Sequence, residues 1–313
     1  MKFRRLGKTN LRVSVIGLGT YQFGGSWGKE FSHKDVAEIL AAARDTGINF
    51  LDTAECYGTN HLAETLVGNA LPSSRDAWII ATKFGHHRHE KTKNTQAWDA
   101  ASVQQQLEES LRALKTDYID LYQFHSGSNE AFDNDELWTM LDKQIEAGKI
   151  RDLGLSVSRK HSQWREYQSQ HASRVGASAI QVKYNRLEKD AEREVFPACV
   201  AQDLGVIARV PLASGLLSGK YQDLTAFATT DARAKKYDAP LISRMQQEIE
   251  DIIKRELPDN VTLTEYALAW SLSHAAVSCV IPGCKTTEHV IQNAAVADLA
   301  IVQQKHPLNM PHV

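Results

Sequence analysis

Four side chains suited to proton chemistry stand at or just past the ends of apolar runs. Gly47-Ile48-Asn49-Phe50-Leu51 leads into Asp52, and Tyr57 follows five residues later, just before Gly58. Ile79-Ile80-Ala81-Thr82 leads into Lys83, and Leu121-Tyr122-Gln123-Phe124 leads into His125. A phenol with an ordinary pKa of about 10 is a poor acid-base group at neutral pH. A nearby ammonium favours the phenolate and lowers that value. A carboxylate beside the lysine would hold the ammonium charged and in place. An imidazole would hydrogen-bond a substrate oxygen and orient it. Together the four suit proton transfer to a carbonyl oxygen, and since no side chain supplies hydride, a reduction would require a nicotinamide cofactor. Taken singly, each has a plainer reading: Asp52 caps a turn, Tyr57 is a half-buried aromatic, Lys83 reaches solvent, and His125 is a satisfied rim histidine.

The elements that must position these residues alternate regularly. A small hairpin over residues 3–13 turns at Gly7-Lys8-Thr9-Asn10. Strands are expected at 13–19, 47–51, 77–83, 118–125, 150–156, 177–184, 205–210 and 277–281. Helices are expected from the Ser32 N-cap to Gly47, then at 61–71, 101–114, 135–147, 159–171, 191–204, 241–255, 263–274 and 286–297. Residues 211–240 form a long loop. Eight strand-then-helix units predict an α/β fold, a parallel sheet closed into a (β/α)8 barrel and filling residues 1–313 as one domain. An open doubly wound sheet is the alternative. Its glycine fingerprint is lacking, because Gly17-Leu18-Gly19-Thr20 and Phe23-Gly24-Gly25 do not have G-x-G-x-x-G spacing. In a barrel, sites are built at the carboxyl ends of strands, which is where strands two, three and four deliver the four residues.

Bulk properties narrow the partners. The 313 residues are 42% hydrophobic and carry a formal charge of −2, so no global field attracts nucleic acid or an anionic membrane. No run approaches the roughly 20 apolar residues of a membrane span. Cys56, Cys199, Cys279 and Cys284 are scattered without a C-x-x-C pair, and the start has no apolar core like that of a signal peptide. A reducing, cytoplasmic setting is the default expectation, with a small molecule as substrate and the oligomeric state open. His86-His87-Arg88-His89 is read as a solvated loop rather than a metal site, and no metal is expected. With Lys91-Thr92-Lys93 it would make a mildly basic entrance suited to anionic substrates.

The order Asp52, Tyr57, Lys83, His125 on strands two to four resembles the aldo-keto reductase family, and the likeness runs over essentially the whole chain. It rests on D-T-A-x-x-Y-G at 52–58, I-x-T-K at 80–83, D-Y-I-D-L at 117–121 and G-K-I-R-x-L-G-L-S at 148–156. It continues with Q-V-x-Y-N at 181–185, P-L-A-S-G-L-L-S-G-K-Y at 211–221, I-P-G-C-K-T at 281–286 and Asn293. The resemblance implies an NADPH-dependent reductase of aldehydes and ketones, with Tyr57 as general acid, Lys83 and Asp52 tuning it, and His125 orienting the carbonyl. It implies that Ser156 and Gln181 hold the nicotinamide carboxamide and that Leu212, Ser214, Leu216 and Lys220 lie along the pyrophosphate. Lys285 and Thr286 would meet the adenosine 2′-phosphate, with Asn293 near the adenine; a lysine at a helix start suits a phosphate dianion. Tyr21, Trp27, Phe84 and Ser126 would line the substrate pocket. The chain departs from the family pattern where Val157 replaces an asparagine, Arg209 replaces the aromatic ring that stacks on the nicotinamide, and His289 replaces an arginine or glutamine. Its short end after the last helix resembles short-tailed bacterial members and the potassium-channel β subunits. That likeness also carries an alternative, an NADP(H)-sensing partner of another protein with vestigial turnover.

Overall fold

The computed structural model describes residues 1–25, 28–71, 75–88, 94–221, 227, 231–235 and 237–299. Eight strands form its central sheet: β1 (Leu18–Gly19), β2 (Phe50–Asp52), β3 (Ile79–Phe84), β4 (Ile119–His125), β5 (Ile150–Ser156), β6 (Ala177–Lys183), β7 (Gly205–Arg209) and β8 (Val277–Val280). Each pairs in parallel with the next in chain order. The two edges meet: Ile16 bridges Val280 and Gly19 bridges Gly283. Gly17 N–H donates to Val280 O at 2.8 Å, and Val280 N–H donates to Val15 O at 2.9 Å. The sheet is therefore a closed barrel, as the eight repeats predict.

Strand alternation sorts the side chains into two layers. Phe50, Ala81, Leu121, Ala179, Ile207 and Cys279 pack together inside the barrel. Leu6 and Val13 of the amino-terminal segment join that cluster and close one end. The larger cluster lies outside, between the strands and the helices, and includes Leu51, Ile80, Tyr122 and Phe124 with Leu107, Leu111 and Leu141. Asp52 and Lys83 stand two residues after Phe50 and Ala81, and His125 four after Leu121, so the period of two keeps all three on the inner face at the carboxyl rim.

The helices start where local chemistry dictates. Ser32 and Thr262 each form a capping box, with Asp35 and Glu265 respectively, and Asp99, Asp238 and Thr286 cap their helices through side-chain oxygens. Gly68, in the helix Leu62–Ala70, permits a close helix crossing: a Cβ there would lie 2.1 Å from Ala113 O.

Several expectations shift. Arg12–Ser14 pairs antiparallel with Phe3–Arg5, so the hairpin takes Val13 and the first barrel strand is reduced to Leu18–Gly19. The helix expected at 191–204 is two, Ala191–Glu194 and Phe196–Ala201, because Pro197 lacks the N–H a continuous helix needs there. Residues 213–218 and 232–235 of the long loop make short 3-10 turns. A second hairpin, His86–Arg88 with Asn94–Gln96, was not legible because its polar residues lack apolar alternation. Trp27, His89, Lys91-Thr92-Lys93 and the 302–313 end lie outside the described residues.

Two buried carboxylates tie the scaffold together away from the rim. Asp120 accepts from Arg75 Nη2 at 2.8 Å, Arg151 Nη1 at 2.8 Å and the Ile80 N–H at 2.9 Å. Removing it leaves Arg75 without its carboxylate in a largely buried site. Asp120→Ala is expected to lose about 3 kcal/mol of stability, read as a lower urea midpoint with an unchanged m-value. Glu64 accepts from Thr82 Oγ1 at 2.6 Å and Ser110 Oγ at 3.2 Å, and lies 2.5 Å from His61 Nδ1. Burial alone would lower the His61 pKa, but bonds and charges from Glu64 and Glu109 outweigh it and raise the value above 6.5. A raised histidine stabilises the fold fully below its unfolded pKa, and this contribution is lost as pH rises through the folded value. His61→Gln is therefore expected to destabilise most near pH 6 and progressively less towards about pH 9. Urea midpoints of both proteins across that range check this, and a gap independent of pH would refute it.

Candidate active site

The strand ends converge on Lys83. Its ammonium nitrogen is fully buried and donates to Asp52 Oδ1 and Oδ2, both at 2.9 Å, to Thr53 O at 2.6 Å and to Tyr57 Oη at 3.1 Å. Three N–H groups thus serve one forked carboxylate, one carbonyl and one phenol. The same nitrogen lies 4.7 Å from the centre of the Tyr57 ring. The turn after β2 that carries Tyr57 is fixed by Tyr57 N–H donating to Ala54 O at 3.1 Å. His125 completes the group, its ring 6.5 Å from that of Tyr57 and nearly perpendicular to it.

Electrostatics corrects one expectation. The Tyr57 phenol is pushed well above its usual value, first by burial and then by the Asp52 charge, against a smaller opposing effect from Arg209. Desolvation of a phenolate outweighs the cations around it, so Tyr57 is a protonated acid rather than a near-neutral acid-base group. Burial, helped by the charges of Lys83 and Arg209, pushes the His125 imidazole well below its usual value. The ring is neutral at neutral pH, with one N–H and one lone pair.

Gln181, already singled out by the resemblance, reaches Asp52 directly, and Gln123 and Glu55 join this rim without having been singled out by the sequence. Gln181 Nε2 donates to Asp52 Oδ1 at 2.6 Å, and Gln123 Nε2 lies 3.4 Å from the same atom. Glu55 accepts from the His86 N–H at 2.9 Å, and its Oε1 lies 3.9 Å from His125 Nδ1. His86 Nε2 donates to His125 O at 2.7 Å. The period of two on β4 would have found Gln123, between Leu121 and His125 on one face. Glu55 had no such signal, because it sits in a turn.

The residues expected to hold a cofactor fall in two groups. Ser156 and Gln181 are adjacent on the inner floor, with Ser156 Oγ 3.4 Å from Gln181 Oε1. Arg209, at the end of β7, donates from Nη2 to Val157 O at 3.1 Å, so its guanidinium spans from β7 to the loop after β5. Farther out, Lys220 Nζ lies 3.4 Å from His289 Nε2, and the Lys285 N–H donates to His289 Nδ1 at 3.4 Å. This basic group stands at the start of the helix Thr287–Ala295, which Thr286 caps through His289 N. The loop between carries left-handed residues in close succession, at Val210 (φ 58°), Ala213 (φ 47°) and Ser214 (φ 59°). For a β-branched valine that conformation is strained. Ser214 is held by Arg233 Nη1 donating to its carbonyl at 3.0 Å and Tyr237 Oη donating to its hydroxyl at 3.0 Å. Leu216 is buried and Leu212 packs half-buried beside it. Asn293 is turned inward, with Nδ2 3.3 Å from Cys284 Sγ.

The expected pocket wall is reached only in part. Tyr21 packs edge-on against Tyr57 at 5.0 Å and is 37% exposed, so it stands at the mouth. Phe84 is core instead: it follows inward-facing Lys83, so alternation sends its ring outward among Tyr122, Trp98 and Phe124. Ser126 is turned back on β5, its N–H donating to Ser156 O at 2.8 Å.

Comparison with known proteins agrees with this geometry. Residues 15–308 match the aldo/keto reductase family. YrpG of Bacillus subtilis, an uncharacterized oxidoreductase, is 31% identical over 96% of this chain and 92% of its own length. A putative voltage-gated potassium channel subunit beta of Schizosaccharomyces pombe is 28% identical over 95% of this chain and 88% of its own. Among solved structures, the glycerol dehydrogenase AKR11B4 from Gluconobacter oxydans superposes with a TM-score of 0.83 at 27% identity, covering 96% of this chain and 91% of that one. Fold, strand-end chemistry and likeness over nearly the full length agree: the chain belongs to the aldo/keto reductase family.

Proposed function

We propose that this chain reduces aldehydes or ketones to alcohols with NADPH, using Tyr57 as the general acid. The observation that carries the reading is the buried Lys83 ammonium, bonded at once to Asp52 and to Tyr57 Oη. When bound, NADPH supplies the hydride that no side chain can. The residues of the chain do the rest. His125, neutral, donates a hydrogen bond to the carbonyl oxygen and orients it beside Tyr57 Oη. Tyr57, kept protonated by burial, delivers its proton to that oxygen as negative charge develops there. Lys83 bonds the phenolic oxygen as the proton leaves, and Asp52 and Thr53 O keep the ammonium aimed at it.

The outer basic group fits a phosphate-rich cofactor. Lys220, Lys285 and His289 gather at a capped helix start, where backbone N–H groups also favour an anion. This supports Lys285 and Thr286 as the 2′-phosphate contacts and hence NADPH over NADH. Ser156 and Gln181 would underlie the nicotinamide, and the strained 210–216 loop would run along the pyrophosphate. The four cysteines are free thiols, in keeping with a cytoplasmic setting. No described helix is long and apolar enough to cross a membrane.

Two experiments test the reading. NADPH oxidation against a panel of aldehydes is expected to give multiple turnovers, and Tyr57→Phe should lower kcat by about 10²–10⁴ with NADPH binding unchanged by fluorescence titration. Tight NADPH binding without turnover on any carbonyl would instead support a cofactor-sensing partner, like the channel-subunit relative. Separately, Lys285→Ala is expected to raise KM for NADPH by about tenfold while leaving KM for NADH and kcat unchanged. An equal loss with both cofactors would refute the 2′-phosphate assignment.

A further inference from the structure

Glu55, Cys56 and His125 bring an oxygen, a sulfur and a nitrogen together beside the substrate mouth. Cys56 Sγ and Glu55 Oε1 each lie 3.9 Å from His125 Nδ1, and the three ligand atoms all fall within 4.8 Å of one another. Tetrahedral zinc with bonds of about 2.0–2.3 Å sets its ligands about 3.3–3.8 Å apart. Two of the three separations, at 3.9 Å, already lie near that range, and the third, within 4.8 Å, would have to close by about 1 Å or more through side-chain rotation. Glu55 supplies a second observation: the residue is 2% exposed, and although Oε1 accepts from the His86 N–H, its other carboxylate oxygen, Oε2, has no hydrogen-bond partner among the described residues. Burying a carboxylate oxygen without a partner is unfavourable, and a cation would relieve it. Adjacent Glu55 and Cys56 with a histidine 69 residues beyond Cys56 follow no familiar ligand spacing, so the sequence held no sign of the site.

We propose that Glu55, Cys56 and His125 form an inhibitory site for a borderline-soft divalent metal, zinc above all. A thiolate, an imidazole and one carboxylate oxygen suit zinc rather than magnesium or calcium, which prefer oxygen alone. Three protein ligands leave a fourth position for water on the open side. As the metal–sulfur bond forms, the Cys56 thiol proton leaves to solvent, and no oxidant or reductant is involved. The bound metal takes the Nδ1 lone pair and fixes the ring, so His125 can no longer adjust to the carbonyl oxygen. The inhibition rests on the role given to His125 above, whereas metal binding does not.

The test uses the whole chain with metal alone. Cobalt, a spectroscopic substitute for zinc, is expected to give a thiolate-to-cobalt charge-transfer band that is lost in Cys56→Ser and weakened in Glu55→Gln. Zinc is expected to inhibit NADPH-dependent turnover and chelation to restore it. The zinc concentration for half inhibition should rise by at least about tenfold in Cys56→Ser, each protein being compared with its own metal-free rate; loss of even an outer-shell partner typically weakens a site that much. Cys56→Ala, checked for native circular dichroism, repeats the test where serine itself ligates. A cobalt band that survives both Cys56 variants, or zinc inhibition unchanged in them, overturns the proposal. Because the band is read without turnover, a chain inactive on every carbonyl would defeat the reductase reading and leave this test intact.

Discussion

The structure depends on burying the positive charge of Lys83. An ammonium taken out of water inside a barrel is tolerated only with its hydrogens bonded and a counter-ion in contact. Asp52 supplies the counter-ion from the neighbouring strand, Thr53 O supplies a carbonyl, and Tyr57 Oη takes the remaining direction. The geometry that makes the charge tolerable also aims it at the phenol. Stability and chemistry are met by the same bonds, so removing Asp52 would disturb both.

That arrangement needs strand ends held at fixed separations. Asp52 is in register with Ala81 on β3, two residues before Lys83, and β4 follows with Lys83 opposite Gln123. A slip of one residue would turn Lys83 outward into the layer now filled by Phe84, Tyr122 and Phe124. Register is pinned by the inner packing of Phe50, Ala81 and Leu121, by the edge bonds that close the barrel, and by Asp120, which bonds Ile80 N–H across the β3–β4 boundary. The stabilising contacts lie toward the opposite end from the chemistry, as barrels allow.

Much of this was legible in the sequence, for an identifiable reason. Eight alternations of apolar run and amphipathic helix determine the barrel, and the period of two places Asp52, Lys83 and His125 on one face. The same rule, applied strictly, would have moved Phe84 from the pocket wall to the core. What the sequence concealed was set by three-dimensional proximity. Gln181 lies 129 residues from the Asp52 oxygen it bonds, and Glu55 meets His125 through a turn with no periodicity. The sign of the Tyr57 shift was misread for a related cause. Sequence names the charged neighbours but not the depth of burial, and burial dominates. The hairpin at His86–Arg88 escaped because its polar residues, half-buried on a rim, carry no apolar pattern.

Arg209 follows the same logic. The inner site sets two cations, Lys83 and Arg209, around Asp52 in a water-poor space. Both cations help push the His125 imidazole down, which keeps it neutral. A neutral imidazole with an N–H still available is a donor that need not lose a competing charge when the carbonyl oxygen becomes negative. In the proposed reduction, these two cations would favour that developing oxyanion over the neutral carbonyl, the difference on which rate acceleration depends. An aromatic ring at 209 would stack on a nicotinamide but leave this field weaker. In the reductase reading, the guanidinium bound to Val157 O therefore trades some cofactor stacking for electrostatic support of the transition state.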